Sequence, residues 1–390
     1  MKRFCASLLA LLLLYVAAPA RADESRAKAA PEWDWVLHYY MAYDNNLEKC
    51  GRPIIDMLKA GITSDKLAIV VSADFTDKDG IKRFLLTKGK EEKLETSEES
   101  SADEATLEKE LEFVSQRFKA KRYGVVFLNH GGGLGQMSVD ENPGKPDGRR
   151  WLYPPRVAAT LEAWRKTLPG ELELVFYQQC GKGSLENYHA MKDSARYVMG
   201  SQTVVGAPNR YYTKTVKHLC EHPETDGKEL ARQITVNETP NMFTTYTTMS
   251  CEKLQDLGKR LDAALEPLLA VKDIELPRGL KPCFDFGRAE VFFDGVALLR
   301  GLYAANKVEP KELDAFAKWL KEELITSHRV SPDQEEKAGS WCGFSLLFAV
   351  NPGLLKRYKD YPFYAETKVD ELYTRVYEAF KARRAKRATK

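Results

Sequence analysis

The chain is organised around the stretch LELVFYQQCGKG, residues Leu172–Gly183. Apolar residues dominate it up to Tyr177, where the pattern stops, and Cys180 follows directly before a glycine. This pattern predicts a buried β-strand that ends at a loop. In an open α/β sheet, ligands bind at the loops beyond the carboxyl ends of the strands. We therefore expect Cys180 to lie where a functional site would form.

A second stretch has the same form. YGVVFLNHGGG, residues Tyr123–Gly133, is an apolar run that leads His130 into three glycines. His130 precedes Cys180 by 50 residues. The two stretches together predict a thiol and an imidazole at similar strand ends of one sheet.

This pair of residues favours a cysteine peptidase. A thiolate is the nucleophilic form of cysteine, and it needs a base or a positive field to exist at neutral pH. An imidazole, with an unperturbed pKa of about 6.5, suits that task. The glycines after His130 leave backbone N–H groups free to approach a substrate oxygen, as an oxyanion hole requires. The residue types alone also fit a small buried cysteine and a hydrogen-bonded turn histidine.

The rest of the chain predicts an α/β fold with a mostly parallel sheet flanked by helices on both faces, because strand-like and helix-like stretches alternate up to Val205. Beyond the two stretches above, the predicted strands are Trp33–Tyr43, Leu67–Phe75, Ile81–Leu86, Arg196–Val205 and Gly339–Val350. The predicted helices are Leu47–Ala60, Asp103–Phe118, Pro155–Leu168, Ser184–Ser194, Lys228–Val236, Cys251–Leu269, Val291–Ala305 and Pro310–Leu324.

The two ends of the chain differ in character from its middle. Residues 1–22 are predicted to be a signal peptide, with a basic start, the apolar core Phe4–Ala18 and a small-residue cleavage signal ending at Ala22. An uncleaved N-terminal anchor is the alternative. Residues 23–365 are predicted to form one domain with a helical C-terminal part, and residues 366–390 a basic helix or tail. That tail could touch an anionic surface or be a solvated helix end. We expect the protein to be exported, either periplasmic or secreted.

The charge balance argues against a nucleic-acid partner. Removing residues 1–22 lowers the Lys and Arg total from 59 to 56, which equals the 56 Asp and Glu. Nucleic-acid binders rely on a basic face to neutralise phosphates. No membrane span is predicted after signal removal. The six remaining cysteines could form disulfides in an exported protein, and their spacing leaves the pairing open.

No metal site is predicted from the spacing of possible ligands. His218 and His222 could share a helix face, but no acidic partner stands at a ligand spacing. Asp74, Asp77 and Asp79 precede a glycine as in a calcium loop, but the twelve-residue pattern is not completed. A plain turn is the interpretation favoured there.

Several of these stretches resemble the clostripain family of cysteine peptidases, which have a caspase-like fold. The resemblance covers about Trp35 to Pro352, and the order of its motifs along the chain carries it. Besides NHGGG at the histidine, the matching segments are YYMAYDNNLE (Tyr39–Glu48), Cys180 with GSLE (Gly183–Glu186), Gly200–Gln202 with Tyr211–Tyr212, and Gly343–Ser345.

The resemblance implies a peptide or protein substrate and peptide-bond hydrolysis by a Cys–His dyad. Cys180 would attack the peptide carbonyl and His130 would protonate the leaving amine. Backbone N–H groups of Gly131 and Cys180 would form the oxyanion hole, and Gln178 and Ser201 would contact the substrate. No cofactor is required, although some relatives use calcium. Other relatives are cut between the histidine and the cysteine, an interval that here contains the polar loop 139–150.

One position departs from the family pattern. Gln178 stands where the family has an Asp that receives an Arg or Lys side chain of the substrate. A neutral amide cannot supply the counter-charge that a buried guanidinium needs, so specificity for a basic residue is in doubt. A Gln here is similar to the caspase Q-x-C pattern, whose acidic-side-chain pocket would need basic residues such as Lys182 or Arg210. The rival hypotheses are a non-catalytic peptide-binding relative and an unrelated exported α/β binding protein.

Overall fold

The computed structural model describes residues 32–77, 80–97, 100–143, 150–287, 290–349 and 351–388. Within these ranges the strands are β1 (Trp33–Ala42), β2 (Leu67–Asp74), β3 (Ile81–Thr87), β4 (Lys90–Lys93), β5 (Ala120–Leu128), β6 (Met137–Val139), β7 (Trp151–Leu152), β8 (Glu171–Gln178), β9 (Tyr197–Gly200), β10 (Thr245–Ser250), β11 (Phe284–Phe286), β12 (Glu290–Asp294), β13 (Ile325–Val330) and β14 (Ser345–Leu347).

The helices lie between these strands and after the last of them. They are α1 (Glu48–Gly61), α2 (Glu104–Arg117), α3 (Pro154–Arg165), α4 (Leu185–Ala190), α5 (Tyr212–Glu221), α6 (Gly227–Asn237), α7 (Cys251–Leu254), α8 (Leu257–Leu269), α9 (Gly295–Ala305), α10 (Lys311–Trp319), α11 (Glu335–Ala338), α12 (Pro352–Arg357), α13 (Pro362–Glu366) and α14 (Val369–Ala388). None of the described helices is both long and apolar enough to cross a membrane.

A nine-stranded sheet forms the centre of the described part of the chain, in the order β13-β10-β9-β8-β5-β1-β2-β3-β4. The five inner strands, from β9 to β2, pair in parallel. The outer strands on both sides pair antiparallel. The α/β fold with a mostly parallel sheet is therefore confirmed, and the carboxyl ends of the inner strands meet at one edge.

Two apolar cores lie on opposite faces of this sheet, because successive side chains of a strand point to opposite sides. In β1, Val36 and Tyr40 belong to one core, whereas Leu37 and Tyr39 belong to the other. Helices α2 and α3 contribute to the first core, and α1, α5 and α6 contribute to the second. Helices thus cover both faces, as the sequence predicts for a parallel sheet.

The C-terminal third departs from the sequence prediction. The late strand predicted over Gly339–Val350 is shorter, Ser345–Leu347, and it pairs antiparallel with β12 in a separate three-stranded sheet. The helix predicted over Val291–Ala305 begins only at Gly295, because Asp294 caps it by accepting a hydrogen bond from the Ala297 N–H at 3.0 Å. Strands β10 and β13 were missed, since their polar Thr and Ser residues lack an apolar alternation.

The predicted ends lie partly outside the described residues. The signal-peptide prediction, residues 1–22, falls wholly outside them. In the predicted basic tail, α14 buries Leu372, Tyr373 and Val376 against the first core. The start of this segment therefore packs on the domain.

Candidate active site

The sheet brings His130 and Cys180 to the same edge. Strands β5 and β8 are parallel neighbours, and Leu128 pairs with Gln178 at their carboxyl ends. His130 lies two residues after Leu128, and Cys180 lies two residues after Gln178. The imidazole and the thiol are therefore at equivalent positions beyond the two strands. The local reason is the same for both strands, because a buried apolar run gives way to polar residues and glycine.

The backbone after His130 touches the backbone of Cys180. A Cβ atom added to Gly131 would lie 1.9 Å from the Cys180 carbonyl oxygen, which is a steric clash. Only glycine therefore fits at this position. The loop that follows is held by its own bonds, since the Gly132 N–H donates to the Gln136 carbonyl at 3.0 Å. The predicted oxyanion-hole residues, Gly131 and Cys180, are thus in direct contact.

The imidazole of His130 is held by the turn after β1. His130 Nε2–H donates to Asn46 Oδ1 at 2.7 Å, which leaves Nδ1 as the ring nitrogen that can take up a proton. Behind this bond, the Asn45 side chain donates to Asn129 Oδ1 at 3.1 Å and to the Val139 carbonyl at 3.0 Å. Burial lowers the pKa of His130, and the nearby Glu141 carboxylate partly offsets the shift. The ring is therefore neutral at pH 7.

The thiol of Cys180 is bonded to the segment after β9. Its S–H donates to the Val205 carbonyl at 3.6 Å, and the Val205 N–H donates to Sγ at 3.3 Å. Burial raises the pKa of the Cys180 thiol, although the Val205 N–H and the Lys182 charge act in the opposite direction. In the described part of the chain, no hydrogen bond joins this thiol to His130. The thiol is therefore protonated at pH 7, as the imidazole is neutral.

Lys182 is buried beneath the site. Its Nζ donates to the Gly133 carbonyl at 2.5 Å and to the Gln136 carbonyl at 2.7 Å, so it links the cysteine loop to the histidine loop. Burial lowers the pKa of Lys182 to about 7. Because its ammonium group faces these carbonyls, Lys182 does not line a substrate pocket, and the sequence alone offered no sign of this role.

Gln178 is buried, and both polar atoms of its amide have hydrogen-bond partners within the protein. Its Oε1 accepts from the Tyr211 hydroxyl at 2.6 Å, and its Nε2 donates to Asn209 Oδ1 at 2.6 Å and to the Tyr212 hydroxyl at 2.7 Å. The side chain at this position therefore carries no charge, and both of its N–H donors are engaged within the protein.

Ser201 is also buried, and it supports the cysteine loop through its backbone. Its carbonyl accepts from the Gly183 N–H at 2.7 Å, and its hydroxyl lies 3.4 Å from Thr245 Oγ1. A Cβ atom on Gly183 would lie 2.6 Å from the Ser201 carbonyl carbon, so the approach needs glycine. A substrate contact by the Ser201 side chain stays a prediction.

Sequence reasoning did not identify Asn46 and Val205 as hydrogen-bond partners of His130 and Cys180. Asn46 belongs to the D-N-N turn, whose resemblance to the family was noted without assigning it a role. Val205 is apolar and acts through its backbone, which gives no sequence signal.

The six described cysteines are all unpaired. Of the loop considered for proteolytic processing, residues 144–149 lie outside the described ranges.

Known proteins resemble this chain in sequence pattern and in fold. The model of the clostripain family matches residues 39–273, more than half of the chain. A search of curated proteins finds no match. Among solved structures, the chain is similar to an inactive zymogen C11 protease from Parabacteroides distasonis, with 17% identity and a TM-score of 0.63, covering 87% of this chain and 99% of that one.

A second similar structure is a secreted C11 cysteine protease from Bacteroides thetaiotaomicron. It has 16% identity and a TM-score of 0.67, with the same 87% and 99% coverage. A third is a secreted protease from the same organism in complex with an irreversible peptide inhibitor, with 15% identity and a TM-score of 0.59 over 81% and 89% of the two chains. At these identities the structures show a shared fold, and the match to the family model shows that this chain belongs to the clostripain family of C11 cysteine peptidases.

Proposed function

We propose that this protein is an exported endopeptidase that cleaves peptide bonds with Cys180 as nucleophile and His130 as proton carrier. The observation that supports it most is the contact between the two strand ends, where the backbone at Gly131 meets that of Cys180. Family membership supplies the reaction class. Export rests on the character of residues 1–22.

The chemistry follows from the atoms at the site. The thiol proton passes to His130 Nδ1, because Nε2 is engaged as a donor to Asn46. The sulfur attacks the peptide carbonyl, and the N–H groups of Gly131 and Cys180 stabilise the resulting oxyanion. The C–N bond then breaks as His130 returns the proton to the leaving amine. Water hydrolyses the thioester and restores the thiol.

The raised pKa of the thiol means that His130 must act as a base during attack. A preformed thiolate would be scarce at pH 7, so the proton transfer accompanies substrate binding. The Val205 segment that now bonds the thiol would have to release the S–H before that transfer. Apo sites commonly have catalytic hydrogen bonds that tighten only with substrate.

Specificity is proposed to exclude a basic residue before the cut. Gln178 is neutral, and its amide is hydrogen-bonded to Tyr211, Tyr212 and Asn209. A guanidinium placed against it would be a buried charge without a partner, which is costly. We therefore expect cleavage after uncharged residues to exceed cleavage after Arg or Lys.

A peptide library tests both proposals, with Cys180→Ala as the inactive variant and Cys220→Ala as its matched control. Cys220 is also a partly exposed free cysteine, but it lies on α5. We expect the wild type and Cys220→Ala to cleave alike and Cys180→Ala to cleave nothing. Cleavage by Cys180→Ala would contradict the nucleophile, and a dominant cut after Arg or Lys would contradict the specificity.

The second candidate is a peptide-binding relative without turnover. It is favoured by the bonds between the Cys180 thiol and Val205, and by the absence of a described bond from that thiol to His130. Such a protein would bind library peptides and leave them intact. The same experiment therefore separates the two candidates.

A further inference from the structure

Two buried side chains beside Cys180 reach across to the segment that carries the histidine, residues 130–138, which we call the histidine loop. Gln179 directly precedes Cys180 and Lys182 follows it by two residues, and both are fully buried. Gln179 Nε2 donates to Ser138 Oγ at 2.7 Å. Lys182 Nζ donates to two carbonyl groups of the same loop, at 2.5 and 2.7 Å. The nucleophile is thus flanked by two side chains that bind the histidine loop.

The ammonium group of Lys182 holds the turn that contains the glycines. The Gln136 carbonyl accepts from Lys182 Nζ at 2.7 Å and also from the Gly132 N–H at 3.0 Å. The Gly133 carbonyl accepts from Lys182 Nζ at 2.5 Å and from the Gln136 N–H at 3.1 Å. Because Lys182 bonds the same two carbonyls that close the turn, it fixes the position of the whole turn.

The bonds within the histidine loop set the direction of the Gly131 N–H. The His130 carbonyl accepts from the Ser138 N–H at 3.2 Å. In a planar trans peptide the N–H points opposite to the carbonyl, so the Gly131 N–H points away from Ser138. Gly131 also faces Met137 in an isolated antiparallel bridge. The geometry of the loop therefore turns this N–H outwards, as an oxyanion-hole donor requires.

A carboxylate lies on the same turn as the Lys182 ammonium group. Glu290 is buried, and its Oε2 accepts from the Leu134 N–H at 2.6 Å. Burial lowers the pKa of Lys182 to about 7, and the Glu290 charge acts in the opposite direction. The turn is thus bonded by a cationic donor and by an anionic acceptor. Charge-assisted hydrogen bonds are stronger than neutral ones, so the restraint on the turn is strong.

We propose that Lys182, assisted by Gln179, is a positioning residue that holds the glycine turn so that the Gly131 N–H points at the substrate oxygen during attack. The described bonds of Lys182 go to backbone carbonyls, so its effect on the reaction passes through the loop. An oxyanion donor is effective because it is in place before charge develops. The inference rests on the proposed function, since the oxyanion forms only when a peptide carbonyl is attacked.

An electrostatic role for Lys182 is the alternative that the test must separate. The Lys182 charge lowers the pKa of the Cys180 thiol, against the larger effect of burial. Such a role would change how fast the thiol is alkylated, because alkylation depends on the thiolate. Alkylation by iodoacetamide forms no oxyanion, so a positioning role leaves its rate nearly unchanged.

Peptide kinetics of the Lys182→Met variant test the proposal. Met has a side chain of similar length and lacks the N–H donors. We expect kcat to fall at least about tenfold, because losing one oxyanion donor outright costs about 100- to 1000-fold. KM should change by less than about threefold, since the oxyanion exists only beyond the ground state. The rate of Cys180 alkylation by iodoacetamide should also change by less than about threefold.

Lys192→Met is the matched control. The Lys192 side chain is only 16% exposed, and its Nζ pairs with Glu366 Oε2 at 2.5 Å. Lys192 lines a cavity with Glu171 and Tyr197, the first residues of β8 and β9. It therefore lies at the amino edge of the sheet, opposite to Cys180. We expect its replacement to leave kcat and KM unchanged.

Ser138→Ala keeps the test valid if Lys182→Met does not fold. This variant removes the oxygen that accepts from Gln179 Nε2 and leaves the Lys182 bonds in place. We expect a smaller fall in kcat, of about three- to tenfold, as the loss of one neutral hydrogen bond would give. KM and the rate of alkylation should again stay nearly constant.

Three outcomes would overturn the inference in a wild type that cleaves peptides. The first is an unchanged kcat in Lys182→Met or, where that variant does not fold, in Ser138→Ala. The second is an equal fall in kcat and in the alkylation rate, which would assign Lys182 to the thiol. The third is an equal loss in Lys192→Met. A wild type that cleaves no peptide would instead overturn the proposed function, and this inference with it.

Discussion

Strands β1 and β2 contribute to two buried acidic clusters. One cluster has a cationic side-chain partner, and the other has only neutral hydrogen-bond donors among the described residues. In the middle of β1 and β2, Glu110 from α2 is neutralised by Arg83, which donates to its two oxygens at 2.6 and 2.8 Å. Ser72 also donates to Glu110 at 2.7 Å, and His38 Nε2–H donates to Ser72 Oγ at 3.0 Å. We call these four residues the closed cluster.

The other cluster begins two residues further along β2. Asp74 meets Asp44 and Asp140 there, and no described cation balances them. We call this the open cluster. Its position at the carboxyl edge is where α/β sheets bind ligands, whereas the closed cluster lies within the sheet body. Inside the core, a cationic side chain thus balances the buried carboxylate, whereas at the edge the described donors to Asp140 and Asp44 are neutral.

The largest expected effect comes from breaking the closed cluster. Glu110→Gln removes the buried carboxylate that pairs with the Arg83 guanidinium, which should lower the free energy of unfolding by about 3 kcal/mol or more. Urea denaturation measures this loss. The double variant Glu110→Gln with Arg83→Met should recover part of it, because no buried charge remains. A loss below about 1 kcal/mol would mean that the pair is not a structural requirement.

Acid should weaken the closed cluster through His38. Burial lowers the pKa of His38 from 6.5 to about 4. Between these two values the unfolded chain binds a proton at His38 and the folded protein does not. Stability contributed by the neutral ring is present above pH 6.5 and is lost as the pH falls towards 4, by up to roughly 3 kcal/mol.

The variant His38→Gln isolates this effect. Its free energy of unfolding, measured from pH 7 to pH 4, should fall less steeply than that of the wild type. Other titrating groups, such as His189, are common to both proteins and cancel in the difference. Parallel pH profiles for the two proteins would show that His38 titrates normally in the folded state.

The smallest effect is expected at the surface. Asp65 pairs with Lys88 at 3.2 Å, but both side chains are at least half exposed. Asp65→Asn should change the free energy of unfolding by no more than about 0.5 kcal/mol, since exposed ion pairs contribute little. A loss above about 1 kcal/mol in urea denaturation would show that the contrast between buried and exposed charges is weaker than we describe.

Local features of the sequence were enough to predict the sheet core and to place His130 and Cys180 at neighbouring strand ends. His130 and Cys180 were identified because each follows a continuous apolar run that ends in glycine, a signal contained in about ten residues. The mostly parallel fold followed from the alternation of such runs with helices. These predictions depend on hydrophobic periodicity, which is the strongest signal in a single sequence.

Features that depend on strand order could not be predicted. Asp44 and Asp140 are far apart in sequence, and they reach Asp74 only once the sheet is assembled. The sequence instead grouped Asp74 with Asp77 and Asp79. Asp77 in fact forms an ion pair with Lys82, and Asp79 lies outside the described residues. Lys182 was considered as a pocket cation, but its burial against backbone carbonyls depends on the neighbouring loop.

Trapping the nucleophile tests the central claim most directly. The protein is incubated with a peptide-based electrophile that carries an uncharged residue at the reacting position, and the adduct is located by peptide mapping with mass spectrometry. We expect one adduct, on Cys180, that is lost in His130→Ala and retained in Cys220→Ala. Labelling that is absent, spread over Cys220 and Cys342, or unaffected by His130→Ala would contradict a Cys180–His130 peptidase.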